Sequence, residues 1–273
     1  MDSDHSEQRG SPLDFVIDQR SRATLSSVRR AVARHDAMLA FQPVVQAERP
    51  DRPAFYEGLI RILDETGRFI PLREFLPIAE TSELGRQIDC LSLALGIQTL
   101  VEEPALRLSI NMSARSIGDP DWIRSLHDGL RLDPCIGERL ILEITESSAM
   151  GMPDTVRRFI SELQDHGVSF ALDDFGAGYT SFRYLRDFSF DMIKIDGQFI
   201  REIAAHPDNQ ILTRALQSIA HHFDMFTVAE AVETAEDAAY LIDIGIDCMQ
   251  GYYFGAPTIV PPWKSPDASA KRL

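Results

Sequence analysis

The sequence predicts an α/β fold, specifically a (β/α)8 barrel, on three observations. Short apolar runs rich in β-branched residues alternate with amphipathic stretches through the middle of the chain. Eight such runs fit into about 230 residues, near the ~250 residues typical of these barrels. Most runs end in a polar or ionisable residue, at the edge where parallel barrels carry their active sites. A doubly wound dinucleotide-binding sheet is disfavoured, because Gly176-Ala177-Gly178 lacks the third glycine of its phosphate loop.

The predicted strands are short and apolar, and helical patterns with apolar residues at three- and four-residue spacing separate most of them. In chain order, the predicted strands cover residues 38–45, 54–63, 107–112, 139–145, 168–173, 191–195, 226–230 and 247–250. The clearest helical patterns cover residues 119–130, 152–166, 209–223 and 234–244. Asn209 and Thr234 begin the last two patterns and are expected to cap those helices.

The two ends of the chain differ from this middle in composition. Residues 1–28 are largely polar and include Gly10-Ser11-Pro12, so we expect a flexible N-terminal head. Residues 261–273 contain three prolines and no periodic apolar pattern, so we expect a C-terminal tail. The barrel is therefore expected to cover residues 29–260 as one domain. We expect no cyclase, response-regulator or sensor domain in the ~30 residues before it, and we expect regulation from expression, dimerisation, a partner protein or the short ends.

Composition argues against several classes of protein. The 273 residues carry 27 Lys+Arg and 42 Asp+Glu, and the net charge of −15 disfavours broad nucleic-acid binding. No apolar run approaches the ~20 residues of a membrane span, and no signal peptide is visible. The chain has an odd number of cysteines, and the three are widely spaced: Cys90, Cys135 and Cys248. This pattern disfavours a disulfide framework or a cysteine-ligated zinc site. We therefore expect a cytoplasmic protein without a membrane segment.

Five carboxylates at predicted strand ends are expected to meet at the mouth of the barrel. They are Glu57, Glu143, Asp173, Asp174 and Glu230, with Asn111, Lys194, Gln250 and Arg61 at neighbouring strand ends. Two carboxylates 4 Å apart repel by about 4 kcal/mol at an effective dielectric constant of 20, so such a cluster needs raised pKa values or cations. Oxygen ligands favour Mg²⁺ or Mn²⁺ over zinc. Two such ions ~3.5–4 Å apart would form a phosphodiester-cleaving site.

A loop with two glycines follows the fifth predicted strand and is a candidate gate for this mouth. It covers residues 173–181. Glu146 lies three residues after Glu143, so the two side chains cannot share one strand face. We therefore expect Glu143 at the mouth and Glu146 in the loop beyond it, where Glu146 could hold the gate through backbone N–H groups or hydroxyls.

Nine short motifs in this order resemble the signature of EAL-domain cyclic-di-GMP phosphodiesterases. They are Gln42-Pro43, Glu57-Gly-Leu, Glu74-Phe-Leu-Pro-Ile-Ala-Glu80, Asn111-Met-Ser-Ala, Leu142-Glu-Ile-Thr-Glu146, Asp173-Asp-Phe-Gly-Ala-Gly-Tyr, Lys194-Ile-Asp196, Val228-Ala-Glu-Ala-Val-Glu233 and Gln250-Gly-Tyr. Each motif alone is weak, but together they cover about residues 30–260. The resemblance implies a modified TIM (β/α)8 barrel in which the first strand runs antiparallel to the others.

The resemblance also implies an activity, the hydrolysis of c-di-GMP to linear pGpG, and a role for each matching residue. Glu57, Asn111, Glu143 and Asp173 would be metal ligands, Asp174 would bind a second Mg²⁺ or Mn²⁺, and Lys194 would hold a metal-bound water and the phosphate. Glu230 would be the general base or orient the water. Gln42, Arg61 and Gln250 would contact the substrate, Glu146 would anchor the gate loop, and Glu233 would support the site near Glu230. Members of the family commonly form homodimers.

Two positions depart from the family pattern. Gly58 replaces the alanine of Glu-Ala-Leu, which would keep the ligand but loosen the strand by roughly 0.5–1 kcal/mol. Ala231 stands where the family usually has glycine. If the backbone there has a positive φ, alanine strains it beside Glu230 and lowers the rate, whereas an ordinary φ makes alanine harmless.

Three other interpretations of the sequence compete with the interpretation as a phosphodiesterase. A catalytically weak or inactive EAL domain would act as a c-di-GMP receptor or a protein-interaction module, but such receptors typically lose ligands that are present here. An unrelated carboxylate-metal barrel would explain the acidic strand ends but not the nine motifs. An HD-type phosphohydrolase is suggested only by His35-Asp36 and His127-Asp128, which lack further histidines at supporting spacing.

Overall fold

A closed eight-stranded barrel forms the centre of the protein. The computed structural model describes residues 12–177 and 185–264. The barrel strands follow the order β1-β9-β8-β7-β6-β5-β4-β2, β2 pairs back to β1, and the short β3 extends β2 outside the ring. The strands are β1 (Ala37–Gln46), β2 (Arg49–Leu63), β3 (Phe69–Ile70), β4 (Leu108–Asn111), β5 (Leu140–Thr145), β6 (Ser169–Phe175), β7 (Met192–Ile195), β8 (Phe226–Ala229) and β9 (Cys248–Gln250). The predicted α/β barrel is therefore confirmed, and β3 is the one described strand that the sequence did not reveal.

The first strand runs antiparallel to both of its neighbours. β1 pairs antiparallel with β2 and with β9, whereas the remaining neighbours around the ring are parallel. This orientation confirms the expectation drawn from the family resemblance. The β1–β2 hairpin places Gln42 directly opposite Glu57, and β9 pairs Gln250 with Val44. Side chains from the two ends of the barrel sequence therefore meet at one seam.

Helices surround the barrel, and the four predicted helices are confirmed to within a few residues. The described helices are α1 (Pro12–Ala33), α2 (Leu76–Ala79), α3 (Glu83–Glu102), α4 (Pro120–Leu132), α5 (Glu146–Gly151), α6 (Pro153–Gln164), α7 (Gly197–Ile200), α8 (Pro207–His222) and α9 (Ala235–Asp243). Thr234 caps α9 as predicted, since its side chain accepts a hydrogen bond from Asp237 N at 3.1 Å. The prediction that Asn209 caps α8 is wrong: α8 begins at Pro207, whose fixed φ suits a first helical turn. Asn209 instead donates to the carbonyl of Gln198.

Ordered structure extends past both predicted limits of the barrel domain. Helix α1 begins at Pro12, inside the segment expected to be a flexible head. Its last turns bury Val28, Ala31 and Val32 in a second apolar cluster with residues of α3 and the preceding loop. At the other end, the ring of Trp263 packs edge-on against Phe41. No helix in the described ranges combines the length and the apolar composition needed to cross a bilayer.

The barrel interior is layered, with apolar side chains below a polar mouth. Side chains two residues apart on a strand share one face. Thus Phe55, Ile141, Ala171 and Val228 lie one step below Glu57, Glu143, Asp173 and Glu230, and they form one buried cluster with Val44 of β1. This cluster closes the barrel from below, so the polar groups above it reach solvent only through the mouth.

Candidate active site

The structure brings the predicted polar residues of the strand ends together at the mouth. Each comes from a different strand or from the residue that follows it: Gln42 from β1, Glu57 from β2, Asn111 from β4, Glu143 from β5, Asp173 from β6, Lys194 from β7, Glu230 after β8 and Gln250 from β9. Most of these side chains are buried. Because parallel strands end at the same edge, residues distant in sequence form one compact cluster.

Lys194 is the centre of this cluster. Its Nζ lies 2.7 Å from Glu143 Oε2, 2.7 Å from Glu230 Oε1, 2.9 Å from Asp173 Oδ1 and 3.7 Å from Glu57 Oε2. The side chain is 1 % exposed. Burial disfavours its charged form, but the four carboxylates outweigh burial and hold the pKa of the ammonium well above its ordinary value. One positive charge thus faces four acidic groups.

Glu57 is held by amide side chains from both neighbouring strands. Asn111 Nδ2 donates to Glu57 Oε1 at 2.7 Å, and Gln250 Nε2 donates to Glu57 Oε2 at 2.6 Å. Gln250 also donates to Gln42 Oε1 at 3.3 Å across the seam. Burial alone would raise the pKa of Glu57, but Lys194 and the amide donors outweigh it and leave the pKa lowered. Lys194 and the two amide donors therefore favour the ionised form of Glu57.

Three other carboxylates at the mouth, Glu143, Glu230 and Asp174, are pushed toward protonation. Burial, followed by the negative charge of Glu57, raises the pKa of Glu143 well above its ordinary value. Burial likewise raises the pKa of Glu230 to about 8, although Lys194 opposes it. At the rim, burial and the charge of Asp173 raise the pKa of Asp174 to about 6. Burial is the first cause of these shifts, and the negative charge of neighbouring carboxylates, which one lysine does not balance, adds to it.

The donor set fits hard divalent cations. Oxygen atoms of Asp173, Asp174 and Glu230 lie within 4.8 Å of one another. Glu143 Oε1 is buried and accepts no hydrogen bond from any described residue. Clustered carboxylate and amide oxygens with surplus negative charge are the ligands that Mg²⁺ and Mn²⁺ prefer. The residues at the mouth can therefore hold such ions.

The described part of the predicted gate loop contacts Glu146. Gly176 N donates to Glu146 Oε2 at 3.0 Å, which is the kind of contact expected between these two segments. Asp174 takes a left-handed backbone conformation with φ of 55°, at the place where the pairing of β6 with β7 shifts register. The rest of the predicted gate, residues 178–181, lies outside the described residues.

Arg61 and Glu233 lie beside the cluster rather than within it. Arg61 Nη1 donates to the carbonyl of Ile60, and burial lowers the pKa of its half-buried guanidinium against the opposing charge of Glu57. Glu233 lines a cavity of about 310 Å³ that also contacts Glu57, Glu230 and Gln250. Its Oε1 lies 3.7 Å from Arg201 Nε.

Three residues near the mouth received no role from the sequence. Asp89 on α3 accepts hydrogen bonds from Ser113 N at 2.9 Å and Ser116 Oγ at 2.6 Å, in the loop that follows Asn111. Asp196 caps α7 and lines the cavity together with Arg201. Asp196 was detectable, because a residue two positions after Lys194 shares its strand face.

The two departures from the family pattern have clear structural settings. Ala231 has a φ of 54°, so this position does require the left-handed conformation that glycine adopts without cost. Gly58 faces the barrel exterior, where a Cβ atom would lie 2.8 Å from Ile110 Cδ1. Ile110 is fully buried and occupies the space that an alanine at position 58 would need.

Fold and site together define a barrel protein with an acidic mouth, whose oxygen donors fit divalent cations, at the ends of its parallel strands. Residues 25–257 match the model of the EAL domain, and the chain belongs to the EAL domain family. This match covers most of the sequence and includes every residue placed at the mouth above.

Several curated proteins are similar to this chain. Cyclic di-GMP phosphodiesterase PdeF of Escherichia coli is 31% identical over 239 residues, covering 86% of this chain and 32% of PdeF. Signaling protein YkoW of Bacillus subtilis is 30% identical over 247 residues, covering 86% of this chain and 30% of YkoW. The chain thus spans about a third of the length of these relatives.

Solved structures of similar fold contain the dinucleotide. The PaMucR phosphodiesterase in complex with c-di-GMP superposes with a TM-score of 0.78 at 29% identity, covering 86% of this chain and 97% of that one. The FimX EAL domain from Pseudomonas aeruginosa bound to c-di-GMP gives a TM-score of 0.78 at 26% identity, covering 86% of this chain and 96% of that one.

Proposed function

We propose that this protein is a metal-dependent phosphodiesterase that hydrolyses c-di-GMP to linear pGpG. The observation that carries the proposal is the intact donor set around Lys194, in which no expected ligand is replaced. The names of relatives such as PdeF support the same substrate. We assign the activity to the barrel domain, residues 29–260.

Two Mg²⁺ or Mn²⁺ ions would be the cofactors. Glu57, Asn111, Glu143 and Asp173 would hold the first ion, and Asp174 would hold the second. When bound, such ions neutralise phosphoryl oxygens and lower the pKa of water, which is the chemistry that hydrolysis of a phosphodiester needs.

The protein's own residues would position the phosphate and move the proton. Lys194 engages Glu230 Oε1, which leaves Glu230 Oε2 to accept a proton from the attacking water. The water oxygen bonds to phosphorus as its proton passes to Glu230, the bond from phosphorus to the 3′ oxygen breaks, and that oxygen takes up a proton from bulk water. The products are a 3′ hydroxyl and a 5′ phosphate on linear pGpG.

The remaining residues would bind substrate or shape the site. Gln42, Gln250 and Arg61 would contact the dinucleotide from the seam between β1, β2 and β9. Glu146 would hold the gate loop through Gly176, and Glu233 would support the segment after Glu230. A homodimer, a regulatory protein partner and a cytoplasmic location belong to the same proposal on the family resemblance.

Chromatography of the protein incubated with c-di-GMP and Mg²⁺ or Mn²⁺ tests the activity. We expect pGpG to form with either ion and not after chelation, and Glu57→Ala to abolish it because a ligand is lost. Glu65→Ala is the matched control, since Glu65 is exposed and pairs only with arginines among the described residues. Binding without any product would favour the receptor role, and product formation by Glu57→Ala at the wild-type rate would contradict the site assignment.

A further inference from the structure

The cavity of about 310 Å³ beside the acidic cluster is lined by more acidic than basic side chains. It opens from Glu57, Glu230 and Gln250 toward the exposed segments that follow β7 and β8. Asp196 and Glu233 add two acidic groups to it, and Arg201 is the sole cation among its described lining residues. Lys194 does not compensate for these acids, because it lies buried below and already faces four carboxylates. An anion that enters this cavity therefore meets a positive charge at Arg201.

The guanidinium of Arg201 lies over Gly197, at the wall of the cavity. Arg201 Cζ and Nη2 both lie 3.6 Å from the point where a Cβ atom on Gly197 would stand. Arg201 N also donates to the carbonyl of Gly197, which fixes the backbone of the arginine at the end of α7. The side chain thus folds back over the start of its own short helix and toward Ala231.

Arg201 is only loosely held by the protein. Its ion pair with Glu233 has an N–O distance of 3.7 Å, and the two side chains are 62% and 52% exposed. No described residue accepts a hydrogen bond from its guanidinium. An exposed ion pair of this length contributes little stability, so an incoming phosphate can replace Glu233 at small cost. Arginine is suited to this exchange, since its planar donors match two oxygens of a phosphate.

The proposed substrate carries two phosphates, and the cluster around Lys194 would engage only the one that is cleaved. The second phosphate needs its own counter-charge, because a like charge at 4 Å costs about 4 kcal/mol at an effective dielectric constant of 20. Arg61, the other arginine assigned to the substrate, donates to the carbonyl of Ile60 and does not line this cavity, so Arg201 is the cation that an anion in the cavity meets. We propose that Arg201 binds the phosphate that is not cleaved. This assignment rests on the proposed function, and it makes Arg201 a substrate-binding residue that selects a cyclic dinucleotide over a simple phosphodiester.

The role of Arg201 is tested by comparing two substrates, one with two phosphates and one with a single phosphate, and by comparing variants of Arg201 with a control variant of another exposed arginine. The variants are Arg201→Gln, which removes the charge, Arg201→Lys, which keeps it, and Arg157→Gln as the control. Arg157 is 56% exposed and pairs with Asp154, so it resembles Arg201 in setting but lies on α6 outside the cavity. Equilibrium binding of c-di-GMP is measured in the Glu230→Gln background, and kcat and KM are measured with c-di-GMP and with bis(p-nitrophenyl) phosphate, which has one phosphate.

We expect Arg201→Gln to weaken c-di-GMP binding and to raise its KM about tenfold, with kcat nearly unchanged. The loss should shrink at high salt, Arg201→Lys should recover part of it, and hydrolysis of the one-phosphate diester should not change. Unchanged c-di-GMP binding in Arg201→Gln, or an equal loss on both substrates, overturns the assignment alone. If the wild-type protein neither binds nor cleaves c-di-GMP, the proposed function is overturned together with the assignment of Arg201.

Discussion

Ala231 and Gly197 pack so closely that a Cβ atom at position 197 would lie 2.7 Å from the Cβ of Ala231. Ala231 is held at a φ of 54°, where an L-residue is strained and its methyl group projects toward the start of α7. The glycine at 197 leaves room for that methyl group. The departure at position 231 is therefore matched by a glycine on the neighbouring strand end, and the two positions depend on each other.

Ala231→Gly should relieve this strain. We expect the free energy of unfolding to rise by about 1 kcal/mol, because relief of the left-handed alanine exceeds the added chain entropy of glycine. Turnover should also rise, since Ala231 adjoins the proposed base Glu230. Urea denaturation and steady-state kinetics measure both effects.

The second arm of that experiment is Gly197→Ala. In the wild-type background it should destabilise the protein, whereas in the Ala231→Gly background it should cost much less. If the effects of the two substitutions on the free energy of unfolding are additive, there is no interaction energy between positions 197 and 231. An unchanged rate in Ala231→Gly would remove strain as a factor in activity.

Gly58→Ala, which restores the family motif, should destabilise this protein by about 1–3 kcal/mol. The new Cβ atom would lie 2.8 Å from Ile110 Cδ1, and overpacking of a closed core outweighs the better strand propensity of alanine. Adding Ile110→Val should recover much of the loss, because it removes that methyl group. The midpoint of urea denaturation for the single and double variants tests this, and a stable Gly58→Ala protein would contradict it.

Glu230→Gln should keep c-di-GMP binding while lowering kcat by roughly 10²–10⁴, the typical contribution of a general base. Glutamine preserves the shape of the side chain but accepts no proton. Glu236→Gln is the control, since Glu236 is an exposed acid in the first turn of α9. Isothermal titration and product chromatography separate binding from turnover, and an unchanged kcat would rule out Glu230 as the base.

Asp89→Asn should change how stability depends on pH. Burial raises the pKa of Asp89 from its ordinary value of 3.8 to about 6, so the folded state binds more protons than the unfolded state between these values. Wild-type stability should then fall as pH rises from about 4 to about 6, by on the order of 2 kcal/mol relative to the variant.

Asparagine removes this slope but still accepts hydrogen bonds from Ser113 and Ser116. Thermal unfolding at a series of pH values measures the difference. Asp89→Ala is the control that leaves both donors unpaired and should be less stable at every pH. Parallel pH profiles for the wild-type protein and Asp89→Asn would contradict the raised pKa.

Local sequence patterns predicted the barrel because most strands are short apolar runs with a polar residue at or near one end. The mouth was predictable for the same reason: Glu57, Glu143 and Glu230 each come two residues after a buried apolar side chain, Phe55, Ile141 and Val228 respectively. The family resemblance added the antiparallel direction of β1, which no local pattern in residues 37–46 encodes.

Features that depend on tertiary packing were not predictable. Helix α3 buries residues on several of its faces, so it lacks the one-sided apolar pattern that reveals a helix. As a result, Asp89 on α3 had no visible link to the loop after Asn111. The φ of Ala231 and the fit between Gly58 and Ile110 likewise exist only once separate strands meet.

The seam between β1 and β9 has a consequence for the order in which the protein folds. The β1–β2 hairpin joins residues close in sequence, whereas β9 reaches β1 only after about 200 intervening residues have been ordered, and such distant pairing is slow. Gln250 bridges Gln42 and Glu57 across this seam, so the site is completed only when the ring closes. A nucleotide bound there would stabilise the pairing of β1 with β9, which is the last contact to form. It should therefore slow unfolding more than it speeds folding.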